Sequence, residues 1–98
     1  MTEPALDDRP EQSRLELSLD GELAGWVDYR PAGASTIIAH TEVLEGHEGE
    51  GLGGQLVRGA IQAITAQGKT VIPTCPFAAA YIARHPELED ALDTSFRR

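Results

Sequence analysis

Five glycines, Gly46, Gly49, Gly51, Gly53 and Gly54, fall within nine residues, between an alternating run at Thr36–Val43 and a helical pattern. Glycine lacks a Cβ and tolerates positive φ, so the backbone turns sharply there and a ligand can approach its amides. At the first turn of a helix, unpaired N–H groups and the positive end of the dipole favour an anion. The segment therefore reads as a phosphate cradle at a strand-to-helix turn; a glycine-rich connector without a ligand is the plainer alternative. It also matches G-x-G-x-x-G, as Gly49-Glu50-Gly51-Leu52-Gly53-Gly54. A dinucleotide-binding fold is excluded all the same, because there the motif follows the first strand and a ribose-binding acid ends the next. Here three strands precede it, and the strand after it ends at Thr74-Cys75 without an acid. A Walker A loop fails too, since no Lys-Ser/Thr pair follows Gly51.

The rest of the chain supplies the context. Residues 1–13 lack periodicity and include Pro4 and Pro10, which predicts a flexible lead-in; residues 14–98 are expected to form a single domain. Leu15, Leu17 and Leu19 alternate as in a half-buried strand, and Asp20-Gly21 is a hairpin signal. A second strand is expected over Glu22 to Arg30, a turn at Pro31-Ala32-Gly33, and a third strand over Ser35 to Val43. After the glycines, Leu52, Leu56, Val57, Ala60, Ile61 and Ile64 recur at helical spacing, and Gly68 stops the helix. Thr70–Thr74 reads as a short strand parallel to the third, with Pro73 marking a bulge or an unpaired edge. Pro76 opens a second helix with Phe77, Tyr81 and Ile82 on its buried side, and Pro86 starts a last short one. The fold class is thus α+β: an antiparallel three-stranded meander, a βαβ unit, and one or two short C-terminal helices.

Charge and cysteine content narrow the function. The net charge of −8 is concentrated in residues 1–50, with twelve acidic and three basic side chains. That balance argues against nucleic acid, which needs Lys and Arg to neutralise phosphates, and would attract a cationic substrate such as an amine, although a solvated acidic surface is its commoner meaning. No apolar run approaches the ~20 residues of a membrane span, and the polar start of the chain has no secretory h-region. A lone cysteine, Cys75, permits no internal disulfide and fits a reducing, cytoplasmic setting. We expect no metal, no membrane partner, and a monomer or weak dimer.

Three side chains are candidates for chemistry. His40 and Glu42 stand two apart on a strand and share a face, as a general base for an amine would require; a buried histidine bonded to its neighbour is the plainer reading. Cys75 precedes a helix N-terminus, which favours thiolate, although a lone cysteine is often just a small apolar residue.

The meander, the His40-Thr41-Glu42-Val43 strand end, the glycine turn, Cys75-Pro76-Phe77 and His85-Pro86-Glu87 together resemble the GNAT N-acetyltransferase superfamily, in its minimal single-domain, YjdJ-type branch. The resemblance covers about residues 13–92. It implies an acetyl-coenzyme A-dependent N-acetyltransferase acting on a small amine or an exposed lysine. It also implies that the coenzyme's pyrophosphate rests on an Arg/Gln-x-x-Gly-x-Gly/Ala loop, which falls here on Glu48-Gly49-Glu50-Gly51-Leu52-Gly53. The cofactor-binding set so implied is Val43, Leu44 and Glu45, pairing with the pantetheine arm, together with Gly49, Gly51, Leu52, Gly53 and Gly54. The strands ending at Val43 and Thr74 would splay to admit the thioester, with Cys75 near its sulfur and His40 or Glu42 as base. Two departures stand out: Glu48 occupies the Arg/Gln position, and Leu88 replaces the tyrosine of His-Pro-Glu-Tyr. With Glu45 and Glu50, Glu48 surrounds the anion site with carboxylates, leaving His47, Arg58 and Lys69 as the cations to offset them. These departures favour the alternative of a non-catalytic coenzyme-binding or interaction module on the same fold.

Overall fold

At Asp20 and Gly21 the backbone takes φ of 51° and 84°. Positive φ at both central residues gives the two-residue turn whose twist matches that of the strands it joins. A computed structural model describes residues 4–46 and 51–94. In chain order, β1 (Pro4–Arg9), β2 (Arg14–Leu19), β3 (Glu22–Ala32) and β4 (Ser35–Val43) form an antiparallel meander. Helix α1 (Leu52–Ala66) follows, then β5 (Thr70–Pro73) parallel to β4, and helix α2 (Pro76–Ala83). The sheet order is β1-β2-β3-β4-β5, and a 3₁₀ segment, Pro86–Ala91, follows α2. The α+β architecture and the parallel βαβ crossover are as the sequence predicts.

One face of the sheet is covered and the other is open. Leu15, Leu17 and Leu19 of β2, Val27 of β3, Ile38 of β4 and Val71 of β5 are buried with the apolar stripe of α1, from Leu52 to Ile64. Leu17, Ile38 and Leu56 are wholly enclosed, and truncating such a side chain to alanine costs about 2–5 kcal/mol. The alternate residues of the same strands, Arg14, Glu16, Trp26 and Asp28, face the other way and build a polar ladder. Arg14 Nε lies 3.3 Å from Asp28 Oδ1, Trp26 Nε1–H donates to Asp28 Oδ2 at 3.2 Å, and the Arg14 guanidinium sits 4.5 Å from the Trp26 ring centroid.

Two expectations are corrected. The lead-in contains a strand: all six residues of β1 are exposed, so no face was selected for apolar residues and no alternation marks it. Its Leu6 lies over Gly59 of α1, where a Cβ would come within 2.5 Å of Leu6 Cδ1. Phe77 is 40% exposed; Ile82 is buried as expected, together with Ala78 one turn before it, and Tyr81 is partly buried against the core.

β1 also perturbs a tyrosine. The Tyr29 hydroxyl donates to Asp8 Oδ1 at 2.6 Å, and burial, this bond and the charges of Asp8 and Glu11 push its pKa up to about 12. The unfolded chain releases this proton first, near pH 10, so the associated stability is whole below about pH 10 and is lost between there and about 12. Absorbance titration of tyrosinate should show a component near 12 that disappears in Tyr29→Phe. In Asp8→Asn it should move down yet stay above the ordinary value, because burial remains. A wild-type protein with both tyrosines titrating normally contradicts this.

Candidate active site

The sheet opens on the far side of β4. Its register with β5 runs from Ser35↔Thr70 to Ile38↔Pro73 and stops there. The Ile38 carbonyl accepts from Thr74 N at 3.2 Å, Cys75 N at 3.0 Å and Thr74 Oγ1 at 3.3 Å. Three donors on one oxygen mark where the chain leaves the sheet to begin α2. Beyond this point β4 continues from Ala39 to Val43 with no strand on that side among the described residues. An edge without a strand partner remains, in line with the divergence the resemblance implies.

β4 distributes the candidates over both faces of the sheet. A register shift between Asp28 and Tyr29 leaves Ala39 unmatched, after which His40 pairs with Asp28, Thr41 with Val27, Glu42 with Trp26 and Val43 with Gly25. Thr41 and Val43 therefore lie on the α1 side, and His40 and Glu42 on the open side. His40 Nε2 lies 2.9 Å from Glu42 Oε1, with both side chains about half exposed. The carboxylate only accepts, so Nε2 carries the hydrogen, and in the neutral ring Nδ1 then keeps a lone pair. This pair is not the buried histidine of the plainer reading.

Cys75 is 3% exposed and lies on the other side, its thiol donating to Thr41 Oγ1 at 3.6 Å. It occupies the N-cap position of α2 but makes no side-chain capping bond there. The structure thus brings Cys75 to Thr41 and leaves it separated from His40 and Glu42 by the plane of the sheet.

The glycine turn has two kinds of glycine. Gly51 is the N-cap of α1 at φ +75°, with no side-chain capping bond, and its Cβ position faces open space. A side chain would be strained there by the backbone alone. Gly53 and Gly54 serve a different need: a Cβ on Gly53 would lie 2.7 Å from Phe77 Cζ, and one on Gly54 2.7 Å from Tyr81 Cε1. They let α2 close against the first turn of α1. Leu52 is buried in the core, Val43 packs against it, and Leu44 N donates to the Ala24 carbonyl on the β3 side. Glu45 is exposed. Gly49, with His47, Glu48 and Glu50, lies outside the described residues.

Gly54→Ala and Gly53→Ala should therefore differ. Tyr81 is held on both sides, stacked on His85 at 4.0 Å and accepting from Arg58 Nε at 3.3 Å, so it cannot swing clear. Gly54→Ala should cost about 1–3 kcal/mol in urea unfolding. The half-exposed tip of Phe77 can move, and the helix propensity gained by alanine offsets the shift, so Gly53→Ala should stay within about 1 kcal/mol of wild type. Equal losses would contradict this assignment of the two glycines.

Lys69 is misplaced by the sequence reading as a cation near this turn. It lies past the far end of α1, whose 15 residues extend about 22 Å. Arg58, nearly two turns into α1, is nearer the turn; it donates to Tyr81 Oη and to Glu87 Oε2, the latter at 3.0 Å. The Tyr81 hydroxyl and Glu87 beside it hold the guanidinium pKa above its ordinary value. The sequence reading gives Arg84 no role and names His85 only within the His85-Pro86-Glu87 motif. Both line a cleft with Gly51, Gly54, Gln55, Arg58 and Tyr81. The only signal was their spacing from Tyr81, which places His85 one turn on, with Nδ1–H donating to the Tyr81 carbonyl at 2.8 Å.

Among the described residues, no helix is long and apolar enough to cross a membrane, and no three His, Cys, Asp or Glu side chains are grouped to hold a metal. Comparison with curated proteins gives no match. A family model described as GCN5-related N-acetyl-transferase matches residues 14–91, from the start of β2 to the end of the last 3₁₀ segment.

Proposed function

The chain belongs to the GCN5-related N-acetyltransferase family, whose members transfer acyl groups, and on that premise we propose that it uses acetyl-coenzyme A to acetylate a small amine or an exposed lysine. The observation that carries the proposal is the unpaired edge of β4, Ala39 to Val43, leading toward a glycine-started helix without a side-chain cap. Such an edge suits an amide-bearing arm, and the first turn of α1 suits the diphosphate that follows it. The residues present therefore fit the coenzyme. When bound, it supplies an activated acetyl thioester. The backbone from Ala39 to Val43 would hold its arm, and the N–H groups of the first turn of α1 its diphosphate. This moves the pairing segment slightly N-terminal of the Val43–Glu45 expected from sequence, because β4 ends at Val43.

His40 is the base in this account. Glu42 fixes its Nε2–H, so Nδ1 accepts the proton that an attacking amine must release. The carboxylates of Glu16, Asp28 and Glu42 on the open face of the sheet would draw a cationic acceptor to this side. Cys75 is a core residue under the end of β4 rather than a nucleophile, since its buried thiol is bonded to Thr41.

Incubation with acetyl-coenzyme A and a panel of primary amines, with released thiol as the readout, tests the reading. Release dependent on an amine is expected. Cys75→Ala should keep the rate within about tenfold, whereas loss of a covalent nucleophile costs on the order of 10⁶-fold. Binding without release for every amine would favour a coenzyme-binding module instead. One observation leans that way: Leu88, at the position of the branch's usual tyrosine, packs against the core, and Tyr81 is engaged by Arg58.

A further inference from the structure

The turn that should hold a dianion carries Glu45, Glu48 and Glu50, so the positive charge that favours the coenzyme must come from elsewhere. The cleft beside α1 supplies it. It has a volume of about 390 Å³ and is lined by Gly51, Gly54, Gln55, Arg58, Tyr81, Arg84 and His85. In a chain of net charge −8, none of these lining side chains is acidic.

Its cations are differently prepared. Arg58 is held in place by the Tyr81 hydroxyl and Glu87. Arg84 sits at the C-cap of α2, exposed, and its guanidinium has no ion pair or hydrogen bond among the described residues. His85 is fixed by stacking on Tyr81 and by its Nδ1–H bond to the Tyr81 carbonyl, so Nε2 is the ring nitrogen left for a ligand. Two guanidiniums and an imidazole around an open cleft form a site for a phosphomonoester, which offers three oxygens and up to two charges.

We propose that this cleft binds the 3′-phosphate of coenzyme A, through Arg84 and Arg58 with His85 beside them. The proposal rests on the acetyltransferase reading, because the cleft adjoins the turn to which that reading assigns the diphosphate. It divides the work of binding: backbone amides of α1 take the diphosphate, and side chains of the α1–α2 seam take the terminal phosphate. It also explains how a loop rich in carboxylates tolerates an anionic ligand, since the compensating charge lies across the seam.

Calorimetric titration of wild type and Arg84→Ala with coenzyme A and with 3′-dephospho-coenzyme A tests it. Wild type should bind coenzyme A about 10- to 100-fold more tightly than the dephospho form, the worth of one or two charge-assisted bonds. Arg84→Ala should lose that preference while binding the dephospho form as wild type does, and Arg84→Lys should keep part of it. Arg84 is exposed at a helix end, so neither variant endangers the fold. Equal wild-type affinity for the two ligands, or a preference that survives in Arg84→Ala, overturns the proposal and leaves the acetyltransferase reading standing. No binding of either ligand overturns both.

Discussion

Gly25→Ala should destabilise the protein by on the order of 3 kcal/mol, the largest loss expected from the addition of a single methyl group. Gly25 is buried in β3, between Leu17 of β2 and Val43 of β4. A Cβ there would lie 2.5 Å from the Glu42 carbonyl oxygen, 3.0 Å from Leu56 Cδ1 and 3.3 Å from Val43 Cα. Two of the three obstacles are backbone and cannot rotate away. Relief requires β4 to shift from β3, or β3 to bow, and either opens the seam over Leu56, one of the wholly enclosed side chains. Urea unfolding should show a lower midpoint with an unchanged slope. A loss below about 1 kcal/mol would mean that the strands yield more readily than their packing implies. The same substitution should depress activity in the folded fraction, because the displaced segment carries Glu42 and the end of the open edge.

His40→Ala is the largest expected loss of activity, with kcat falling by about 10²–10³-fold and KM for acetyl-coenzyme A little changed. Under the proposed mechanism His40 is oriented by its Nε2–H on Glu42 Oε1 at 2.9 Å, with Nδ1 of the neutral ring taking the proton. Glu42→Gln should cost less, about tenfold, because an amide oxygen still accepts from Nε2 while the charge that stabilises the imidazolium is gone. Because the pair is about half exposed, neither variant should lower stability by more than about 1 kcal/mol. If both variants keep most of the wild-type kcat, the proton leaves the amine by another route and the base assignment fails.

How much of this was legible beforehand follows from what each residue touches. The α1 stripe from Leu52 to Ile64 was readable because a single face is buried, which stamps a period on the sequence. β2 was readable for the same reason, its leucines inside and Arg14, Glu16 and Ser18 outside. β1 was not, since none of its residues is buried and no period can arise. Gly25 gave no signal, as its constraint is the backbone of a strand 17 positions later in the chain. The glycine turn was half legible. Its position before a helix was apparent, but nothing in the sequence signals that Gly53 and Gly54 also make room for Phe77 and Tyr81. The basic cleft was hidden because it exists only where α1 and α2 meet, with Arg58 and Arg84 separated by 26 positions. His40 and Glu42 were paired correctly by strand alternation. The register shift at Ala39, which sets the face they take relative to Cys75, leaves no mark in composition.

If the proposal holds, the open edge of β4 and the start of α1 both bind acetyl-coenzyme A. Backbone amide shifts followed by NMR during titration with acetyl-coenzyme A test it most directly. Saturable shifts are expected in Ala39 to Leu44, Gly51 to Gly54 and the Arg58–Tyr81–Arg84 seam, with the amides of β1 and β2 unmoved. Shifts confined to the separate apolar cavity at Pro73, Ile82 and Leu92, or no shifts at ligand excess, would contradict it.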